Sequence, residues 1–97
     1  MSYQKFKRAV MTRANYECEC RNCTTFAETV HHLLKQSTYP EFKEDPDNGL
    51  AACGSCHTEI ERREREGESL VDIIPFRRVR IICHKLGKFP EKYKEFI

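Results

Sequence analysis

Five of the six cysteines and three of the four histidines lie between Cys18 and His57. Cys20 and Cys23 are separated by two residues, as are Cys53 and Cys56. That spacing lets one tight turn aim two thiolates at a single ion, and two such turns complete a tetrahedral four-sulfur site. Thiolates are soft donors that suit zinc or iron better than hard cations. In a reducing cytosol, close-spaced pairs serve as metal ligands more often than as disulfides. The expected structural zinc is therefore held by Cys20, Cys23, Cys53 and Cys56. Cys18 competes for the first place, with a wider turn to Cys23. The 29 residues between the two pairs leave room for a strand, a loop and a second strand. Cys83 reads as a small buried hydrophobe.

The histidines carry a second chemistry. His31 and His32 are adjacent, Asn48 follows, and His57 directly succeeds Cys56. A neutral imidazole takes a proton from attacking water near neutral pH. A divalent ion polarises a phosphate and stabilises charge on the leaving oxygen. Together these are the means of phosphodiester hydrolysis, with Asn48 as a supporting hydrogen-bond group. Glu61 lies one helical turn beyond His57 on the same face. It reads either as a further ligand or as a solvated i,i+4 partner of Arg65. Neighbouring residues on a regular strand point to opposite faces, so His31 and His32 share a site only if the strand twists or ends there.

The elements that must position these groups are legible from pattern. Residues 2–14 predict a helix capped by Ser2, with Tyr3, Phe6 and Val10 in one stripe. Residues 16–25 predict a knuckle turn. Thr29 to Leu34 predicts a strand, the proline-containing residues 35–48 a loop, and Gly49 to Ala52 a second strand. A charged helix is expected from Thr58 to Glu66, ended by Gly67. A further helix is expected between Pro75 and Gly87, with Phe76, Val79, Ile82, Cys83 and Leu86 on one face. Its opposite arc carries Arg77, Arg78, Arg80, His84 and Lys85. Pro90 to Ile97 predicts a final helical turn or two.

Ninety-seven residues make one domain, small enough that a metal helps to hold it. A third of the chain is charged, and no apolar run approaches the roughly 18 residues of a membrane span. With no signal peptide behind Met1, the expected location is the cytoplasm, with no membrane partner. The net charge of +2 argues little by itself, but from Arg77 to Lys88 there are five basic residues and no acid. Arg77, Arg78, Arg80 and Lys85 are the expected contacts to a nucleic-acid backbone.

Arg13-x-x-Tyr16 before the cysteines, His31-His32-Leu33, Asn48-Gly49-Leu50 and Cys53-x-x-Cys56-His57, in that order, resemble the HNH endonuclease family. The resemblance covers residues 13–66, with residues 69–97 as a helical extension. It implies an α+β fold with a ββα-metal core, a hairpin and a helix framing one catalytic divalent ion (Mg, Mn, Ni or Zn), and cleavage of DNA. It implies that His32 is the general base, that His31 and His57 hold the catalytic ion, and that Asn48 matches the central asparagine. Two positions depart from the pattern. The family's first zinc cysteine aligns with Cys18, and Ile60 stands where many members carry a lysine, leaving Arg62 or Arg63 to supply that phosphate contact. The alternatives are a non-catalytic, zinc-ribbon-like nucleic-acid-binding module and a structural subunit of a larger nuclease.

Overall fold

A computed structural model describes residues 2–97. The first helix, α1 (Tyr3–Arg13), begins where the Ser2 hydroxyl accepts the Lys5 amide at 3.2 Å. Two short strands follow, β1 (Thr29–His32) and β2 (Gly49–Ala52), paired antiparallel with His31 opposite Leu50 and His32 opposite Gly49. They lead into α2 (Gly54–Glu66). Helix α3 (Phe76–Leu86) and a C-terminal 3-10 segment (Glu91–Phe96) complete an α+β architecture. Among the described residues, no helix is long and apolar enough to cross a membrane.

The hairpin is covered on both faces. Val30 and Ala51 pack under Phe6, Val10 and Met11 of α1. Leu50 and Ala52 face the other way, into a larger core with Ile60 of α2, Val79 and Ile82 of α3, and Tyr93 and Phe96 of the C-terminal segment. The apolar face expected for α3 holds: Val79, Ile82 and Cys83 are fully buried, with Phe76 and Leu86 packed at their edge. Burying each such aliphatic side chain contributes about 1.5–3 kcal/mol. Gly49 is required by close approach: a Cβ there would lie 2.6 Å from Val10 Cγ2 and 2.9 Å from Phe6 Cζ. Its absence lets α1 settle on the hairpin opposite His32.

Three boundaries differ from expectation, each for a visible reason. Strand β1 stops at His32 rather than Leu34, because the Leu34 amide leaves the ladder and donates to Asn48 Oδ1 at 2.6 Å. Helix α2 begins at Gly54 rather than Thr58. The Glu28 carboxylate accepts the Gly54 amide at 3.0 Å and caps the helix from outside its own sequence. Within residues 35–48, prolines start two 3-10 turns, Pro40–Phe42 and Pro46–Asn48. Arg13 fastens the second of these to the hairpin, donating to the carbonyls of Pro46 at 2.9 Å and Gly49 at 2.8 Å while pairing with Glu19.

Candidate metal centre and histidine cleft

The sulfurs of Cys18, Cys23, Cys53 and Cys56 all lie within 4.8 Å of one another. The Cys23 and Cys53 sulfurs are 3.9 Å apart. Tetrahedral zinc with ordinary Zn–S bonds of about 2.3 Å separates its sulfurs by about 3.8 Å, so the quartet fits a metal ion. Cys18 stands where the sequence spacing favours Cys20, and this corrects the expected set. The reason is a turn that sequence spacing does not reveal. Glu17 and Phe26 form an antiparallel bridge, and the Cys18 amide donates to the Thr25 carbonyl at 2.7 Å, which folds Cys18 back across from Cys23. The next residues are tied elsewhere: Glu19 donates to the Ala51 carbonyl and Arg21 to that of Ile73, each at 2.8 Å. Cys20 is left buried beside the quartet, its thiol pushed up to about 12 by burial and by the neighbouring Cys18. Cys23 is drawn down to about 7, first by the Thr25 backbone. Cys83 sits away in the core, where burial raises its thiol to about 11.

On the α2 side of the hairpin a cleft of about 640 Å³ is lined by His31, His32, His57, Glu61 and Glu64, with Lys35, Arg65 and Lys92 among its other walls. The early start of α2 places Cys56 and His57 in its first turn, so the same turn serves the quartet and the cleft. His31 is buried, and its ring meets that of His57 edge-on with centroids 5.5 Å apart. Its Nε2 lies 3.5 Å from Glu64 Oε2, yet makes no hydrogen bond to any protein group. His57 Nε2 lies 3.8 Å from Glu61 Oε2. Glu61 pairs with no arginine among the described residues, so the i,i+4 bridge to Arg65 is absent.

The alternation of the strand does send the two histidines to opposite faces. His32 turns toward α1, where its ring stacks on Phe6 with centroids 4.9 Å apart and planes 9° from parallel. Because β1 ends there, its ring still borders the cleft. His32 Nε2 lies 2.8 Å from the Lys43 carbonyl. A carbonyl only accepts, so Nε2 carries the proton and, in the neutral ring, Nδ1 keeps the lone pair. Asn48, fully buried, sits beneath this arrangement. Its amide donates to the carbonyls of Leu34 at 3.0 Å and Phe42 at 3.1 Å, and its Oδ1 accepts the Leu34 amide. It thus holds the backbone immediately before Lys43.

Glu64 is the site residue that the sequence reading missed. It follows His57 by seven positions and Glu61 by three, the spacing of one helix face, which was the available signal. Its carboxyl lies below its ordinary range: burial pushes it upward, but His31 and Lys92 together outweigh that. The expected phosphate contacts are more dispersed. Ile60 is fully buried. Arg62 is engaged by Glu59, Glu66 and Glu68, and Arg63 by Glu59 and Asp72. On α3, Lys85 pairs with Asp45 and Asp47, and Arg80 donates to the Phe96 carbonyl at 2.9 Å. Arg78 is half-buried, and Arg77 is exposed. Compared with family models, curated proteins and solved structures, the chain matches none.

Proposed function

We propose that this chain is a metal-dependent endonuclease of the HNH type, hydrolysing phosphodiester bonds of DNA, with β1, β2 and α2 as its ββα-metal core. The observation that carries the reading is the buried Nε2 of His31, without a hydrogen-bond partner beside the cleft carboxylates. That nitrogen lies 3.5 Å from Glu64 Oε2, and in the neutral ring it would gain a partner if a cation took its lone pair. His31, His57 and Glu61 would offer two nitrogens and an oxygen to a divalent ion if their donor atoms converged, a set suited to Zn, Ni or Mn and, with added waters, to Mg. Among the described residues only the cysteine sulfurs already stand close enough to hold one. Bound there, the ion supplies Lewis-acid polarisation of the phosphate and stabilises the leaving oxygen.

The remaining steps belong to the chain. His32 accepts the proton of the attacking water at Nδ1, because Nε2 is committed to Lys43. The Phe6 stack fixes the ring plane, and Asn48 fixes the acceptor strand through Phe42. A structural zinc on the cysteine quartet would tie the turn bearing Cys18 to the first turn of α2, which carries His57.

The test is conversion of supercoiled plasmid in the presence of Mg²⁺, Mn²⁺ or Ni²⁺. His32→Ala is expected to keep metal binding and lose cleavage by roughly 10²–10⁴-fold, the usual worth of a positioned base. His57→Ala is expected to weaken the catalytic ion as well, with partial rescue by excess metal. Reversed phenotypes of His31→Ala and His32→Ala would exchange their roles. Cleavage at the parent rate by both variants would exclude the reading.

A further inference from the structure

We propose that Lys92, with Lys35 and Arg65, binds the phosphodiester backbone at the mouth of the histidine cleft, so that the C-terminal segment is part of the nucleic-acid-binding surface. The identity of the partner rests on the nuclease reading; the placement of the cations does not.

Three elements bring these cations to one cavity: Lys35 follows β1, Arg65 lies near the end of α2, and Lys92 rides on the C-terminal 3-10 segment. Among the described residues, neither Lys35 nor Arg65 has an ion-pair partner. Both side chains are exposed. Lys92 is held in place: its ammonium lies 2.8 Å from Glu64 Oε2 and 5.0 Å from the centre of the Tyr93 ring. Of the basic residues expected to meet phosphate, Arg62, Arg63, Arg80 and Lys85 are engaged by protein groups, whereas Arg77 and Arg78 have no ion-pair partner among the described residues. Ile60 is buried, and Arg62 and Arg63 are each shared between carboxylates. Lys85 pairs with both Asp45 and Asp47 and does not line the cleft.

Electrostatics points the same way. The cleft walls carry three cations against the two carboxylates Glu61 and Glu64, an excess of positive charge that a divalent ion on the histidines would increase. Lys92 has a double use in this arrangement. Its pairing with Glu64 holds the ammonium at the cleft wall. Its remaining N–H donors are available to a phosphate oxygen, since an ammonium has three. Lys35, Arg65 and Lys92 line the same cavity as His31 and His57, so a phosphodiester held by the cations would enter the cleft that the histidines line.

The experiment measures binding of a short fluorescein-labelled DNA duplex by anisotropy, across a salt series and without added divalent ion. The double variant Lys35→Gln, Lys92→Gln is expected to lower the slope of log affinity against log salt by about two units, since each phosphate contact contributes about 0.9. Lys92→Arg is expected to keep the parental slope. Lys85→Gln is expected to leave the slope unchanged. Zinc content and thermal midpoint monitor folding, and a merely structural Lys92 would shift the midpoint without moving the slope. The proposal is overturned if the double variant keeps the parental slope, if the slope falls with Lys85→Gln instead, or if the parent binds no duplex. A parent that binds with the expected slope changes but cuts nothing with any metal upholds this surface and removes the nuclease reading.

Discussion

The Tyr93 hydroxyl donates to the Leu33 carbonyl at 2.6 Å, a buried bond between residues 60 positions apart that joins the C-terminal segment to the end of β1. Tyr93 is fully buried, and burial holds its phenol protonated far into the alkaline range. Removing the hydroxyl leaves a buried carbonyl unpaired. Tyr93→Phe is expected to lose about 1–3 kcal/mol of stability in urea unfolding. Because Lys92 is the adjacent residue, duplex affinity is also expected to fall, while zinc content stays at one per chain.

The quartet of Cys18, Cys23, Cys53 and Cys56 predicts an asymmetry between two cysteines only two positions apart. Structural zinc contributes folding free energy directly. Cys18→Ser and Cys53→Ser are therefore expected to release zinc and unfold the chain. Cys20→Ser and Cys83→Ser are expected to retain one zinc and remain folded. Metal analysis of the purified variants decides the matter: zinc lost from Cys20→Ser and retained by Cys18→Ser would restore the set that spacing favoured.

Asn48 makes three hydrogen bonds to buried or half-buried backbone groups. Asn48→Ala strands the Leu34 amide and carbonyl, each at about 1–3 kcal/mol when no water replaces the partner, while the Phe42 carbonyl keeps the Asp45 amide. A loss of at least about 2 kcal/mol is expected, measured by urea unfolding. Cleavage is expected to fall further than stability alone explains, because the Lys43 carbonyl that orients His32 loses its support. Equal specific activity of the folded fraction would show that Asn48 only stabilises.

Lys85, hydrogen-bonded to Asp47, holds that carboxyl below its ordinary 3.8. A depressed folded-state pKa contributes stability above the unfolded value, and that contribution disappears as pH falls through the folded value. The Lys85 and Asp47 side chains are 44% and 34% exposed, so the pair is worth about 0–1 kcal/mol and is screened by salt. Asp47→Asn is expected to lower the urea midpoint slightly at neutral pH. The difference from the parent is expected to close under strongly acid conditions. A gap that persists there would mean that Asp47 acts through packing rather than charge.

The elements were legible in the sequence because they rest on local rules. Ser2, Gly67 and Gly87 mark helix ends, the period of Phe76, Val79, Ile82, Cys83 and Leu86 marks α3, and the alternating hairpin strands stand between turn-forming residues. One helical turn puts Glu61 beside His57, but the sequence left Glu61 open between a ligand and a partner of Arg65, and the fold alone brings His31 to them. What local rules leave open is which distant groups meet. Cys18 and Cys20 have the same residue type and point to the same side of an extended chain. Only the Glu17–Phe26 bridge and the Cys18–Thr25 bond choose between them. The start of α2 depended on Glu28, 26 positions earlier. The charges on α2 and α3 could not be sorted into free and paired from spacing, because Asp72, Glu68, Asp45 and Asp47 come from other segments. Lys92 lines the cleft on a segment that the Tyr93–Leu33 bond and the buried Phe96 anchor. Period and composition determine the elements, whereas a hydrogen bond or ion pair between segments depends on where packing brings their ends.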